Sequence, residues 1–168
     1  MLQPERDDMS TENWPDIAGR LVADETGQHH VLPVRVYFED TDAGGIVYHA
    51  SYVRFCERGR TDFLRLLGAQ ARCLFDGGSG AEPAIFVVRR MSMDFFRPGL
   101  MDDFLVVETR VKEIGGASIT LLQTIVRDGK RIFEAEVTLV LISKSGKPLR
   151  LSERMRGAFE AHRVSASP

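Results

Sequence analysis

Apolar residues follow two different periods along this chain. Between residues 51 and 67, Tyr52, Phe55, Cys56, Gly59, Phe63, Leu66 and Leu67 recur at three- and four-residue steps, while Arg54, Glu57, Arg58, Thr61, Asp62 and Arg65 take the opposite face. This pattern predicts one long amphipathic helix with a single buried stripe. Ser51 is its expected N-cap and Gly68 its expected stop. Gly59 interrupts the stripe at a cost of about 1 kcal/mol relative to alanine, which points to close packing against a flat surface. A sheet is the natural partner.

The sheet is predicted from the runs around the helix. A short apolar stretch at 31–38 precedes it, and from Ala84 onward the period changes. Residues 85–96, 104–113, 118–127 and 131–142 are rich in Val, Ile, Phe and Thr and read as four long strands. Pro98-Gly99, Gly115-Gly116 and Asp128-Gly129 punctuate them, the last being a strong two-residue hairpin signal. A short helix near 70–75, a GGSG turn at 77–80 and a closing helix within 151–162 complete the reading. The predicted class is α+β: about five strands, four of them in an antiparallel meander, wrapping one helix. A sheet face or edge left uncovered predicts self-association, at least to a dimer.

Composition narrows the function. The 168 residues, 43% hydrophobic, suit one domain with a proper core. A net charge of -2 provides no broad basic face and argues against nucleic acid as a partner. Cys56 and Cys73 have no metal or redox spacing, and no run approaches the length of a membrane span, so a cytoplasmic location is expected. Residues 1–28 are polar and proline-bearing and read as a tail with partial disorder, with Trp14 and Ile17 able to form a short docked turn. The domain is expected over 29–163, followed by a short tail at 164–168.

Candidate chemistry gathers where strand gives way to helix. Glu39, Asp40 and Asp42 fall within four positions, followed by Gly44, Gly45 and then His49. Glycines there allow a ligand to approach the main chain closely, and the first amides of a helix have no intrahelical partner and carry partial positive charge. A carboxylate beside them stays ionised and can act as a base or nucleophile. On spacing alone the same residues also describe a solvated acidic turn.

The segment 35–52 (RVYFEDTDAGGIVYHASY), together with Phe55, Glu57 and Arg60 and with the later stretch VVRRMSMDFFRPG at 87–99, resembles the hotdog-fold acyl-CoA thioesterases of the 4-hydroxybenzoyl-CoA thioesterase-like family, and within it the Tol-Pal-associated branch. The resemblance covers about residues 32–160. It implies a hotdog fold and hydrolysis of an acyl-CoA, or of an acyl group on a carrier protein's phosphopantetheine arm. It places the catalytic carboxylate on Asp42 and the polarising backbone N–H on His49, whose imidazole orients a water or protonates the leaving thiolate. Gly45, Ile46, Val47 and Tyr48 are then expected to shape the thioester passage. Relatives often carry tyrosine where this chain has Phe38, so a phenolic hydroxyl is missing, and Tyr37 would point to the other face of a strand.

The remaining candidates keep two readings each. Arg89, Arg90 and Arg97 are either ligands for coenzyme A phosphates or ordinary surface charge. Glu57 is a second carboxylate or an ion-pair partner of Arg54 and Arg60. Asp40, Asp42 and His49 are more economically an acidic turn than a metal site, and Cys56 a core residue rather than a nucleophile. Neither metal nor cofactor is expected, coenzyme A entering as part of the substrate, and the partners expected are further copies of the chain, as homodimer or homotetramer. A dehydratase of the same fold and a non-catalytic acyl-binding module are the rivals, and the absence of a histidine in a Pro-rich turn argues against the first.

Overall fold

The computed structural model describes residues 19–68 and 83–164. The expected short helix at 70–75, the GGSG turn, the 1–18 portion of the expected tail and residues 165–168 lie outside them. Six strands form a single antiparallel sheet: β1 (Arg20–Asp24), β2 (Gly27–Arg35), β3 (Ala84–Phe95), β4 (Phe104–Ile114), β5 (Ser118–Arg127) and β6 (Lys130–Ser143). Helix α1 (His49–Leu66) lies between β2 and β3 in the chain, and α2 (Glu153–Glu160) closes it. The strand order is β1-β2-β4-β5-β6-β3.

Three expectations are corrected here. The strand count is six because β1, placed inside the expected tail, pairs with β2 from Arg20↔Val31 to Asp24↔Gly27. The four long strands are not one meander. Strands β4, β5 and β6 are, but β3 crosses to the far side of the sheet and pairs with β6, while β2 takes the place beside β4. The strand expected over 31–38 stops at Arg35, and Phe38–Asp40 form a single 3-10 turn that leaves both Tyr37 and Phe38 exposed, Phe38 at 82%.

The sheet bends because three of its ladders slip by a residue, and each slip increases local twist. They fall between Val88 and Arg90, between Val111 and Glu113, and between Ile125 and Val126, where Ile132 on β6 is the extra residue. As a result Ile132 and Phe133, consecutive in sequence, are both buried. The Asp128-Gly129 turn has positive φ at both residues, 50° and 69°, as a tight hairpin of this hand requires.

Helix α1 lies on the concave face. Tyr52, Phe55, Cys56 and Phe63 are buried against Val107 and Leu105 of β4 and their neighbours, while Leu66 remains 38% exposed. Gly59 explains the close approach: a Cβ there would sit 2.9 Å from Val107 Cγ1 and 3.4 Å from Thr109 Oγ1. Gln123 fixes the contact by donating to the Cys56 carbonyl (2.8 Å) and to Thr109 Oγ1 (3.0 Å). Glu57 pairs with neither Arg54 nor Arg60 among the described residues; it accepts from Thr61 Oγ1, and Arg54 faces Asp40 at 3.7 Å.

Candidate active site

The acidic turn divides into a structural carboxylate and a free one. Asp40 is buried, its carboxylate accepts the Tyr37 N–H (2.9 Å), and its carbonyl accepts both the Tyr48 N–H (2.8 Å) and the Ser51 hydroxyl (2.9 Å). It therefore clasps the two ends of the loop to the start of α1. Asp42 sits two residues on and is exposed. It heads a tight turn in which the Gly45 N–H reaches the Asp42 carbonyl (3.0 Å) and the Asp42 N–H reaches the Ile46 carbonyl (2.9 Å). Gly45 adopts φ +77°, a region costly for a side chain. The Gly44 N–H donates to one Asp42 carboxylate oxygen (2.8 Å) and orients the group.

Helix α1 begins at His49, earlier than an N-cap at Ser51 would place it. Tyr48 occupies the cap position without a side-chain hydrogen bond, and the first turn has no acidic residue. Ser51, the expected cap, is already inside the helix and has its hydroxyl on Asp40. Among the described residues the leading amides of α1 thus have no side-chain acceptor, and the helix dipole lies behind them.

A second segment closes the site. After β3 the chain runs through Phe96, Arg97, Pro98 and Gly99, and the Val47 N–H donates to the Gly99 carbonyl (2.8 Å). The Gly99 N–H in turn donates to the Tyr52 hydroxyl (2.8 Å). Gly99 has to be glycine, since a Cβ would lie 2.9 Å from Val47 Cγ2 and 3.2 Å from the Tyr52 hydroxyl. Tyr52 stacks on Phe133 at 5.1 Å and meets Phe95 edge-on at 5.7 Å, and burial pushes its phenol above the ordinary range.

Between these segments lies a cleft of about 420 Å³. The acidic turn and the start of α1 contribute Asp42, Ile46, Val47, His49 and Tyr52 to its lining; the end of β3 and the stretch after it contribute Phe95, Phe96, Arg97 and Pro98. Of the expected site residues, the fold brings Asp42, Ile46, Val47 and His49 together here. Gly45 shapes the turn behind them, and Tyr48, half exposed, packs its ring 4.3 Å from that of His49. Arg89 and Arg90 do not line the cleft. Arg89 is the extra residue of the β3 bulge, and both face solvent. Of the wall formed by Phe95 to Pro98, the sequence singled out only Arg97, as a candidate phosphate ligand, while Phe95 and Phe96 read as strand and Pro98-Gly99 as punctuation. Phe38 and Tyr37 are not part of the lining. Cys56 is fully buried and its thiol is pushed up to about 12, chiefly by desolvation, so it is inert.

A long helix held in a curved antiparallel sheet, with its uncapped N-terminus and an exposed aspartate opening on one cleft, defines a hotdog-fold enzyme. The chain belongs to the thioesterase superfamily, whose model matches residues 44–134, and it is a thioester hydrolase. It is 42% identical over 123 residues to the acyl-CoA thioester hydrolase YbgC of Escherichia coli, covering 73% of this chain and 85% of that protein. The acyl-CoA thioesterase YbgC of Haemophilus influenzae is 38% identical over 129 residues, 76% of this chain and 92% of the relative. Among solved structures, a probable thioesterase from Bartonella henselae superposes with a TM-score of 0.70 at 40% identity, over 74% of this chain and 99% of its own.

Proposed function

We propose that the protein hydrolyses acyl-CoA thioesters, with Asp42 attacking the thioester carbonyl or activating the water that does so. The observation that carries this reading is the meeting of an exposed, oriented carboxylate with an uncapped helix N-terminus in one cleft. Either route raises negative charge on the carbonyl oxygen. The His49 N–H is the donor we assign to it, and one such preorganised donor typically lowers the barrier by about 3 kcal/mol. The departing sulfur leaves as thiolate and takes a proton, for which the His49 imidazole is the nearby carrier. In the nucleophilic route water then cleaves the mixed anhydride on Asp42 and restores the carboxylate. Ile46 and Val47 form the passage together with Tyr52, which makes the acyl side of the cleft apolar.

Both YbgC relatives bear names that specify acyl-CoA thioesters, which supports the substrate class. No cofactor enters the proposal, since coenzyme A arrives as part of the substrate. Among the described residues no helix is long and apolar enough to cross a membrane. Self-association to a homodimer or homotetramer belongs to the same reading, given the exposed Phe95, Phe96, Leu100, Met101 and Phe104 and an edge of β3 that is open among the described residues.

The test is release of free thiol from a panel of aliphatic and aromatic acyl-CoAs by wild type and Asp42→Asn. Turnover of at least one substrate, reduced on the order of 10³-fold in the variant, is the expected result. Coenzyme A binding without thiol release by wild type would replace the enzyme reading with a binding role.

A further inference from the structure

Three guanidinium groups surround the segment that closes the cleft, and their partners differ. Arg127 is held by the Asp103 carboxylate and the Pro98 carbonyl. Arg131 bonds Glu134 at 2.8 Å and lies over the Phe96 ring at 4.3 Å. Arg97 lines the cleft itself, and among the described residues its guanidinium makes a single, long hydrogen bond, 3.3 Å from Nη1 to the Arg131 carbonyl. Among the described residues no carboxylate, Asp42 included, comes within ion-pair distance of it. A guanidinium has five N–H donors in a planar fork suited to phosphate and carboxylate oxygens. Most of that capacity is unspent on the described residues.

The cleft is also graded in polarity. Val47, Tyr52 and Phe95 supply apolar wall, whereas Arg97 stands on the exposed stretch after β3. A volume near 420 Å³ encloses a small ligand. It does not enclose an acyl group, a pantetheine arm and a nucleotide together. The charged end of such a thioester must therefore emerge past the rim, where an unpaired cation has the strongest claim on it.

Building on the acyl-CoA reading above, we propose that Arg97 binds the phosphate that terminates the pantetheine arm of the thiol carrier and makes the enzyme select phosphorylated carriers. This phosphate is common to coenzyme A and to a carrier protein's prosthetic arm. Arg89 and Arg90 are exposed and do not line the cleft, which makes Arg97 the cation we assign to this phosphate.

Calorimetric titration of the full chain with coenzyme A, 4′-phosphopantetheine and pantetheine tests the assignment in wild type, Arg97→Ala and Arg97→Lys. Expected is tighter binding of both phosphorylated thiols by wild type, with a loss of about tenfold in Arg97→Ala that pantetheine does not share. Arg97→Lys should recover part of it, most clearly at low salt. An equal loss for all three ligands, or none, overturns the proposal; a loss confined to coenzyme A overturns it in favour of a contact to the nucleotide. Thermal melting of each variant confirms the fold, which an exposed side chain does not support. Because these titrations need no turnover, failure of thiol release would refute the hydrolase reading while leaving the Arg97 assignment to stand on its own data.

Discussion

Two aspartates two residues apart have opposite fates in this protein. Asp40 turns inward and satisfies a backbone amide; Asp42 turns outward into the cleft. Composition presents them as one acidic cluster, and only the burial of Asp40 separates clasp from candidate catalyst. Gly59 is the opposite case, since its conflict with helix propensity already signals a close approach. Its replacement by alanine would gain about 1 kcal/mol of propensity. Against that, a Cβ at 2.9 Å from Val107 is an overpacking costing typically 1–3 kcal/mol. We expect Gly59→Ala to be net destabilising in urea unfolding. A neutral or stabilising result would mean that Val107 moves aside and that the helix does not depend on this contact for its depth.

At the level of elements, α1 is tied to β2 far from the cleft. His30 of β2, fully buried, meets Asp62 of α1 at 2.9 Å, and Asp62 also accepts the Gly19 N–H (2.7 Å) and Arg65. Burial depresses His30 below its ordinary value and outweighs the attraction of Asp62. Burial raises Asp62, but the bonds from Arg65, His30 and Gly19 together hold it below the usual carboxylate range. The native pair is therefore neutral imidazole and carboxylate. A depressed histidine takes up its proton on unfolding, so stability declines as pH falls below about 6.5. The Asp62 contribution is present above about pH 4 and is lost further into acid. Urea unfolding from pH 7.5 to 5 should show the first decline, and His30→Gln should flatten it. A profile identical in both proteins would remove His30 as its source. At neutral pH, Asp62→Asn should cost about 1–3 kcal/mol, because three donors lose a charged acceptor.

Across the whole molecule, the cleft joins residues 42–52 to 95–98, which meet because β3 crosses to β6 and its exit returns over the start of α1. Among the described residues that return leaves β3 as an unpaired edge beside exposed aromatic residues. Monomeric proteins rarely leave such an edge and such a surface open. We expect sedimentation equilibrium to give two or four chain masses, and a concentration-independent monomer would refute the proposed self-association.

Periodicity and turn chemistry were enough to locate α1, the four long strands, the Asp128-Gly129 hairpin and the acidic turn that heads the cleft. These features depend on neighbours a few residues apart, and a 3.6-residue or two-residue repeat reports them directly. The pairing of β3 with β6, the bulges that bury both Ile132 and Phe133, and the early start of α1 at His49 were not legible in this way. Each depends on contacts between residues distant in the chain: Gly99 against Val47 and Tyr52, Ser51 against Asp40, and the slipped ladder between β5 and β6. For the same reason the sequence grouped Arg89, Arg90 and Arg97 as equivalent cations, whereas tertiary packing turned the first two to solvent and left the third alone at the cleft.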